Sequence, residues 1–342
     1  MFKRGKGMNL TQFAKITGYS VSTVSKAFSD SPDISEMTKN SILQKAKELG
    51  IYPKYNKKFY DKKVISVICP EVSSAYFADL ISKINKEIES YNATTIISVT
   101  DFSAKKEAEM IEFFSSRKIS DGIIVLRAQT TIKKIHNVPI VCYDSLVDNP
   151  FVDVFNYNMQ TGINEAVKLF KNMNHKKIAF IGEKLTLEKV PIFKKAMDFY
   201  NMNIDESLIR MSEKRFEEAG FSEMSQLFES GNLPTAILAS YDYIALGVID
   251  CIKKHGKRIP QDFSVIGVDD INMVSHYNIS LTSINTGVDE LYPLMIKAIF
   301  DKITNPLIQT TKKISVRSQL IVRNSVAKKT TEKTQSTKEI AK

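Results

Sequence analysis

Hydroxyl side chains crowd one short stretch of the chain. Residues 20–29 read SVSTVSKAFS and carry five serine or threonine residues and one lysine. Serine and threonine are poor helix formers, yet Val24, Ala27 and Phe28 recur at helical spacing. Exposed hydroxyls donate hydrogen bonds to phosphate oxygens, and side chains at a helix N-terminus reach base edges in the major groove. The stretch therefore indicates contact with nucleic acid.

A second set of polar side chains follows apolar, strand-like segments. Asp144 comes after the apolar residues 139–142, and Asp269 comes after residues 265–268. In open α/β sheets, ligands bind beyond the carboxyl ends of the strands, and a carboxylate there accepts strong hydrogen bonds from ligand hydroxyls. An aspartate at a strand end can equally cap the turn that follows. Both roles are open at this point.

The motifs of the common enzyme classes are missing from the sequence. There is no Gly-x-x-x-x-Gly-Lys-Ser/Thr loop, no Gly-x-Gly-x-x-Gly after a strand and no His-Glu-x-x-His. The histidines lie far apart, with neither metal-ligand spacing nor a paired nucleophile, at His136, His175, His255 and His276. We therefore expect no catalytic residue, no metal site and no cofactor.

Three short helices are predicted to position the hydroxyl-rich stretch. They cover residues 10–17, 21–28 and about 35–49, with Gly18 in the turn between the first two. Thr11 is available near the first helix start for a phosphate or a cap, and Ser20 can cap the second helix. This pattern is that of a helix-turn-helix. A small helical protein-interaction module is the alternative.

From Val64 onward, strands and helices alternate. The predicted strands are residues 64–69, 94–99, 122–126, 139–142, 177–181, 236–239 and 265–268. The predicted helices are residues 76–91, 104–115, 162–172, 219–230 and 244–255. This alternation is typical of right-handed crossovers and parallel sheets. One sheet in each half predicts two lobes, with a small-molecule cleft between them.

Positive charge is concentrated at the two ends of the chain. Residues 1–63 hold 13 Lys/Arg and 5 Asp/Glu (+8), residues 327–342 hold 5 and 2 (+3), and the middle holds 30 and 31 (−1). A basic segment beside a near-neutral body is typical of a polyanion-binding unit.

No apolar run of membrane-spanning length and no secretory signal are present, and Cys69, Cys142 and Cys251 are too far apart to suggest a disulfide. We expect a cytoplasmic protein without a membrane partner.

Several motifs resemble those of the lactose/galactose repressor family of bacterial transcriptional regulators. Residues 14–28 (AKITGYSVSTVSKAF) and 48–53 (ELGIYP) are similar to its headpiece. Residues 233–247 (LPTAILASYDYIALG), 259–270 (IPQDFSVIGVDD) and 281–284 (LTSI) are similar to its body. The resemblance covers the chain to about Asn324. It implies an all-α helix-turn-helix headpiece followed by a periplasmic-binding-protein-like α/β body of two doubly wound parallel-sheet lobes.

The implied domains are discontinuous in the body. We expect a DNA-binding headpiece at residues 8–53 and a linker at 54–63. The N-terminal lobe of the effector-binding body is expected at 64–157 and 285–317, and the C-terminal lobe at 158–284 and 318–326. The Lys/Thr/Ser-rich composition of residues 327–342 predicts a disordered basic tail. A tetramerising helix is not expected there, since the segment lacks a leucine heptad.

The resemblance also assigns DNA contacts residue by residue. Base-reading positions fall on Val21, Ser22 and Lys26, and phosphate-contacting positions on Ser20, Thr23, Ser25 and Ser29. In the linker, Lys57, Lys58 and Tyr60 stand where the family has an alanine, an arginine and a wedging leucine for the minor groove. A tyrosine can still wedge a base step, whereas a lysine-rich linker can act through charge alone; both alternatives are open.

The same resemblance implies effector contacts in the cleft. Those expected in the first lobe are Ser73, Tyr76, Phe77 and Asp144, and those in the second are Lys189, Tyr241 and Asp269. The two aspartates match carboxylates that accept hydrogen bonds from sugar hydroxyls or purine nitrogens. Lys189 replaces the usual arginine and cannot reproduce its bidentate fork, while Tyr241 replaces an asparagine. The cleft therefore departs from the family pattern, and a sugar, a sugar phosphate and a purine remain alternatives.

The resemblance implies a sequence-specific regulator, a repressor by family precedent, of carbohydrate or related metabolic genes. A homodimer is expected on palindromic double-stranded operator DNA, because one headpiece covers only a half-site. Control by a partner protein, or no effector response, is one alternative. A small-sugar-binding receptor is another, since such receptors share the two-lobed body.

Overall fold

The chain folds into a helical N-terminal unit and an α/β body. The structure, a computed structural model, describes residues 8–29, 31–52, 62–117, 119–134, 136–272 and 279–329. The N-terminal unit contains helices α1 (Leu10–Thr17), α2 (Val21–Phe28) and α3 (Glu36–Glu48). Phe13, Val24 and Ile42 come from the three helices and are fully buried against one another. The predicted helix-turn-helix is confirmed.

Local sequence explains where these helices begin and end. Asn9 and Gln12 form a capping box at the start of α1, in which each side chain bonds the other residue's backbone N–H. Gly18 ends α1 with a φ of 73°, in the left-handed region that glycine adopts readily. The Ser20 hydroxyl caps α2 by accepting from the Thr23 N–H, as predicted. The alternative that Thr11 caps α1 is wrong, because Asn9 takes that role.

The first lobe is built on a six-stranded sheet with the order β11-β5-β4-β3-β1-β2. Its strands are β1 (Lys63–Cys69), β2 (Ala93–Val99), β3 (Gly122–Leu126), β4 (Ile140–Tyr143), β5 (Asp153–Asn158) and β11 (Lys313–Arg317). All pairs in it are parallel. Strands β1, β3 and β4 are almost wholly buried, as expected when helices cover both faces of a parallel sheet.

The second lobe repeats this design with the order β12-β10-β9-β8-β6-β7. Its strands are β6 (Ile178–Glu183), β7 (Ile209–Ser212), β8 (Ala236–Ala239), β9 (Ser264–Val268), β10 (Thr282–Asn285) and β12 (Gln319–Ile321). Only the short edge strand β12 is antiparallel to its neighbour among the described pairs of this sheet. The predicted fold class, two parallel-sheet lobes, is confirmed.

Helices cover both sheets. The first lobe carries α4 (Ala75–Ser90), α5 (Ala104–Ser116) and α10 (Val288–Thr304), and the second carries α6 (Met159–Asn172), α7 (Lys189–Phe199), α8 (Phe216–Ser230) and α9 (Asp242–Lys254). Most predicted elements lie within three residues of these bounds. Seven elements were not predicted: strands β5, β7, β10, β11 and β12 and helices α7 and α10. Strand β5 (DVFNYN) is largely polar, and α7 carries a proline in its first turn.

The chain crosses between the lobes at three neighbouring places. These are the junction of β5 and α6, the segment between β10 and α10, and the single residue, Ser318, between β11 and β12. At the first crossing, the Ser318 hydroxyl donates to the Asn158 carbonyl and accepts from the Gly162 N–H, at 2.7 and 2.9 Å. A Cβ at Gly162 would overlap Ile284 and Ser318. The crossings are thus packed tightly together.

Residues 327–329 are held against the second lobe. The Ala327 carbonyl accepts from Nε2 of His175 at 3.0 Å, and the Lys329 N–H donates to the Met173 carbonyl at 2.8 Å. The prediction that the disordered tail begins at residue 327 is therefore wrong for these three residues, since they satisfy buried groups of the lobe. The remainder of the predicted tail, residues 330–342, lies outside the described residues.

The His175 ring gives this anchor a pH dependence. Burial lowers the pKa of His175 below its usual 6.5, and the bond to Ala327 only partly opposes this. Because the folded pKa lies below the unfolded one, the neutral ring contributes its full stability above pH 6.5 and loses it as the pH falls through the folded value. We expect the melting temperature to fall more from about pH 7 to about pH 5 in the wild type than in His175→Gln. Equal slopes in thermal melts would contradict this.

Candidate functional site

Helix α2 divides into a buried face and an exposed polar face. Val24, Ala27 and Phe28 are buried. The exposed side holds Val21, which is 41% exposed, together with Ser22 and Ser25. The structure therefore presents the hydroxyl-rich face to solvent, where a groove-bound helix needs it. Thr11 is also exposed, on α1.

The other predicted DNA contacts of α2 already have partners within the chain. The Ser20 hydroxyl accepts from the Thr23 N–H at 3.0 Å and bonds the Thr23 hydroxyl at 2.8 Å. The Ser29 hydroxyl donates to the Lys26 carbonyl at 3.3 Å. Lys26 forms an exposed ion pair with Asp33 at 3.1 Å, which lowers the pKa of Asp33. Lys26 must exchange this partner to reach a base. Lys57, Lys58 and Tyr60 lie outside the described residues.

A narrow cleft, partly open to solvent, lies between the carboxyl ends of the two sheets. Its lining from the first lobe includes Glu71, Tyr76, Phe77, Phe102, Arg127 and Asp144. Its lining from the second lobe includes Glu183, Lys189, Arg215, Phe216, Tyr241 and Asp269. Six of the seven residues predicted to contact an effector thus lie together. Ser73 is absent from this lining and donates instead to Glu71 at 3.0 Å.

Arg127 is the centre of the first charge network. Its guanidinium donates to Asp144 at 3.0 Å, to Glu188 at 2.6 Å and to the Leu185 carbonyl at 2.9 Å. The last two belong to the second lobe, so Arg127 bridges the cleft. Burial acts to lower the pKa of Arg127, but the charges of Asp144 and Glu188 outweigh it and raise that pKa. Burial raises the pKa of Asp144, and Arg127 opposes this. The carboxylate of Asp144 is therefore already paired.

Arg215 forms a second bridge in the opposite direction. It lies in the second lobe and donates to both oxygens of Glu71 in the first, at 2.8 and 3.3 Å. Its Nε donates to Glu183 at 3.3 Å, and its guanidinium lies 4.4 Å from the centre of the Phe216 ring. Two-point pairing of this kind fixes both distance and orientation. The lobes are therefore connected by an arginine from each side.

Asp269 differs from Asp144 in its surroundings. No hydrogen-bond partner for its carboxylate occurs within the described part of the chain. Burial raises the pKa of Asp269, while Lys189 and Arg127 act in the opposite direction. The Lys189 ammonium is itself held by the Ser240 carbonyl at 2.7 Å. The Asp269 carboxylate is therefore unpaired among the described residues.

Aromatic side chains close the remaining sides of the cleft. The Tyr76 hydroxyl bonds that of Tyr143 at 2.7 Å, and the Tyr241 hydroxyl accepts from the Phe216 N–H at 3.1 Å. Burial, followed by the charge of Glu183, raises the pKa of Tyr241. Tyr241 therefore remains protonated and presents mainly its ring, in place of the amide expected at this position.

Backbone strain is concentrated around the cleft. Five lining residues adopt a positive φ, between 50° and 95°: Phe102, Arg127, Asp144, Phe216 and Asp269. This conformation costs a non-glycine residue about 1 kcal/mol or more. Such outliers occur preferentially where a side chain has to be aimed at a ligand. Their coincidence with the cleft supports a binding role for this region.

Comparison with known proteins agrees with this architecture. A family profile described as "Periplasmic binding protein-like domain" matches residues 167–326. The HTH-type transcriptional repressor PurR of Pasteurella multocida is 27% identical over 327 residues, covering 92% of this chain and 97% of the relative. The probable HTH-type transcriptional repressor ExuR of Bacillus subtilis is 27% identical over 343 residues, covering 95% and 100%. The resemblance to the lactose/galactose repressor family that the sequence motifs indicated therefore extends along nearly the whole chain.

A solved relative shows the same fold. The lac repressor dimer bound to operator and the anti-inducer ONPF superimposes with a TM-score of 0.74 at 18% identity, over 94% of this chain and 100% of that one. The shared fold therefore includes both the helical N-terminal unit and the two-lobed body. None of the helices that the structure describes is both long and apolar enough to span a membrane.

The two arginines of the cleft were not predicted from the sequence. Arg127 directly follows β3, and Arg215 lies three residues after β7. Both obey the strand-end rule that pointed to Asp144 and Asp269, so applying the rule to cations as well as to carboxylates would have found them. Asp242, also at a strand end, is fully buried and accepts from Ser283 and from the Ile271 N–H. Its position indicates a structural role.

Proposed function

We propose that this protein represses transcription as a homodimer on operator DNA and responds to a small molecule bound in the cleft. The observation that carries the proposal is the exposed hydroxyl and lysine face of α2, on a helix-turn-helix fused to a two-lobed body with a cleft between the lobes. Its relatives are named as transcriptional repressors. A cytoplasmic location fits this activity, and a catalytic role has no support.

The roles of the α2 residues follow from their chemistry. Val21 has an exposed apolar side chain at the helix N-terminus, which suits the methyl group of a thymine. Ser22 and Lys26 can reach base-edge acceptors, while the hydroxyls of Ser20, Thr23, Ser25 and Ser29 suit phosphate oxygens. Thr11 suits a phosphate as well. Phosphate contacts fix the position of the helix, and base contacts supply specificity.

Lys26→Ala tests this division. We expect about a tenfold or greater loss of affinity for operator DNA selected from a random library, and a smaller loss for unrelated DNA, because a base contact contributes about 1–3 kcal/mol of discrimination. Fluorescence anisotropy at constant salt measures both affinities. Lys45→Ala is the matched control, because Lys45 lies on α3 in an exposed pair with Glu48. Equal losses on both DNAs would remove Lys26 from the base-reading set.

The edge strand β2 supports a dimer. It carries the apolar side chains of Ile96, Ile97 and Val99, which are 38%, 47% and 40% exposed. Edge strands of monomeric proteins are usually protected by charges or proline, and a flat apolar edge favours association. A second copy of the chain would bury these side chains and bring two headpieces to one palindrome.

Ile97→Glu should convert the dimer to a monomer, because it places a charge in an apolar interface. Sedimentation velocity measures the mass, and operator affinity should fall by about tenfold or more as the second half-site is lost. Leu307→Glu is the control, since Leu307 is 86% exposed and lies far along the chain from β2. A dimeric Ile97→Glu protein would place the interface elsewhere.

The cleft supports the small-molecule part of the proposal. Tyr76, Phe77, Tyr241 and Asp269 combine ring faces with an unpaired acceptor, the usual composition of a small-molecule site. Both lobes contribute to it, so a bound ligand alters the energy of closure. A coupling of about 1–3 kcal/mol between cleft and headpiece is typical of such systems.

A further inference from the structure

The two ion pairs that span the cleft are partly shielded from solvent. In the first arginine bridge, Arg127 and Glu188 have side-chain exposures of 10% and 37%. In the second, Arg215 and Glu71 have exposures of 35% and 10%, and Arg215 donates to both carboxylate oxygens. Charge-assisted bonds of this kind are stronger than neutral ones, and partial burial reduces their screening by salt. Each bridge therefore attracts one lobe to the other.

Other contacts across the cleft add to this attraction. The Tyr243 hydroxyl, on α9 of the second lobe, accepts from the Ala75 N–H at the start of α4 in the first, at 3.4 Å. The Tyr76 side chain packs against the apolar clusters of both lobes. The guanidinium of Arg127 also donates to the Leu185 carbonyl of the second lobe at 2.9 Å. The lobes therefore meet through groups of the protein itself.

The first lobe orients Arg127 for its bridge. The buried carboxylate of Glu107 accepts from the Gln129 and Thr130 N–H groups at 3.0 and 2.7 Å, which fixes the segment after β3. Arg127 begins that segment with a φ of 54°, and its N–H donates to the Tyr143 carbonyl at 2.7 Å. A backbone conformation of this kind persists only where the surrounding structure imposes it. Because its position is set within its own lobe, Arg127 loses little conformational freedom when it pairs with the second lobe.

We infer that Arg127 and Arg215 hold the two lobes closed when the cleft contains no ligand, so that the closed form is the resting form of the protein. In one respect this inference rests on the proposed function. If the cleft is the effector site, an effector has to separate at least one arginine bridge to enter. It then binds only the fraction of molecules that are open, and its apparent affinity is lowered by that fraction.

Two substitutions remove the bridges without leaving an unpaired arginine. Glu188→Ala removes the first bridge and Glu71→Ala the second, and in each case the arginine keeps a carboxylate of its own lobe, at 3.0 or 3.3 Å. Glu188 lies outside the lining of the cleft, and its side chain does not cap α7 in the described structure. Arg258→Ala is the matched control, because Arg258 is 73% exposed and pairs with Asp262 within the second lobe.

A distance between two spin labels measures the separation of the lobes. Lys105→Cys on α5 and Glu213→Cys directly after β7 place one label on each lobe, at exposed positions near the carboxyl ends of the sheets. The three native cysteines are buried, which favours selective labelling. The full-length protein is freed of small molecules by dialysis in urea and refolded. Labelled subunits are then mixed with an excess of unlabelled ones, and double electron–electron resonance is recorded without DNA.

We expect one short, narrow distance in the wild type and in Arg258→Ala. In the Glu71→Ala/Glu188→Ala double variant the distance should lengthen by more than about 2 Å and broaden, as in hinge opening. Circular dichroism shows whether each variant is folded, and Glu188→Ala alone, expected to add a longer distance to the short one, replaces a double variant that is not. A long or broad distance in the wild type, or only the short distance in the folded bridge variant, would overturn the inference.

Operator binding separates this inference from the proposed function. The distances are recorded without DNA, so they do not depend on whether the protein prefers any DNA sequence. If selected DNA binds specifically but the ligand-free wild type is open, the inference fails and the regulator remains. If no DNA sequence is preferred but the lobes are closed, the proposed function fails and the inference about the bridges remains.

Discussion

Gly247→Ala is expected to lower the free energy of unfolding of the body by about 3 kcal/mol or more, because helices α8 and α9 pack backbone against backbone. A Cβ at Gly247 would overlap the Glu217 carbonyl oxygen and lie 2.7 Å from its carbon. A Cβ at Gly220, on the facing helix, would overlap the Ile244 carbonyl oxygen. No side-chain rotation relieves either clash, so the helices would have to separate. Urea unfolding followed by circular dichroism measures the loss.

Gly122→Ala is the matched control for this effect. A Cβ at Gly122 would approach Ile299 at 2.7 Å, but the contacting atom is the far end of a flexible side chain. We expect its cost to stay below about 2 kcal/mol, since the isoleucine can change rotamer. If Gly247→Ala and Gly122→Ala are equally stable, close helix approach does not limit the stability of the second lobe.

Phe13→Ala is expected to abolish DNA binding while leaving the body folded. Phe13 is fully buried in the helical N-terminal unit, and its ring lies 5.9 Å from that of Phe28. Truncating a buried phenylalanine costs about 3–5 kcal/mol. A unit of about 45 residues has little more stability than this to lose. The headpiece should therefore unfold, because its core has no other aromatic anchor on α1.

Two measurements on one sample check this prediction. Operator affinity from a gel shift should fall at least a hundredfold, while the main melting transition of the body should stay within about 1 °C. Met37→Ala is the control, because Met37 lies on α3 and is 83% exposed. Retained operator binding by Phe13→Ala would mean that the headpiece gains its stability from contacts other than this core.

The fold was largely predictable from sequence because its signals are local. Apolar runs such as β3 and β4 are bounded by polar turns, and the cap residues Ser20 and Ser35 stand directly before their helices. Strand β5 was not predicted because its composition does not favour a strand. It is a strand because it lies at the crossing between the lobes, where it pairs with neighbouring strands. It pairs with β4 and β11, and β11 lies more than 150 residues further along the chain. Such pairing has no local signature.

The sequence predicted where the candidate site lies, but not which of its charged side chains pair with one another. The strand-end rule located Asp144 and Asp269, yet it could not show that only Asp144 has an arginine partner. Arg127 reaches Glu188 across 61 residues of sequence, and Arg215 reaches Glu71 across 144. These partners are set by how the lobes close, which is a tertiary property. Lys189 lies in the cleft lining as predicted, but the bond from its ammonium to the Ser240 carbonyl was not predictable from sequence.

The one-residue connection from β11 to β12 restricts how the C-terminal part of the chain can be altered. Residues 313–321 supply an outer strand to each sheet in turn, and residues 327–329 then bond to the second lobe. Truncation before residue 313 would remove an edge strand from each of the two sheets, although the deleted segment lies near the end of the polypeptide. Purification tags and reporter domains therefore belong after residue 329, and shortened versions of the protein should retain everything up to that point.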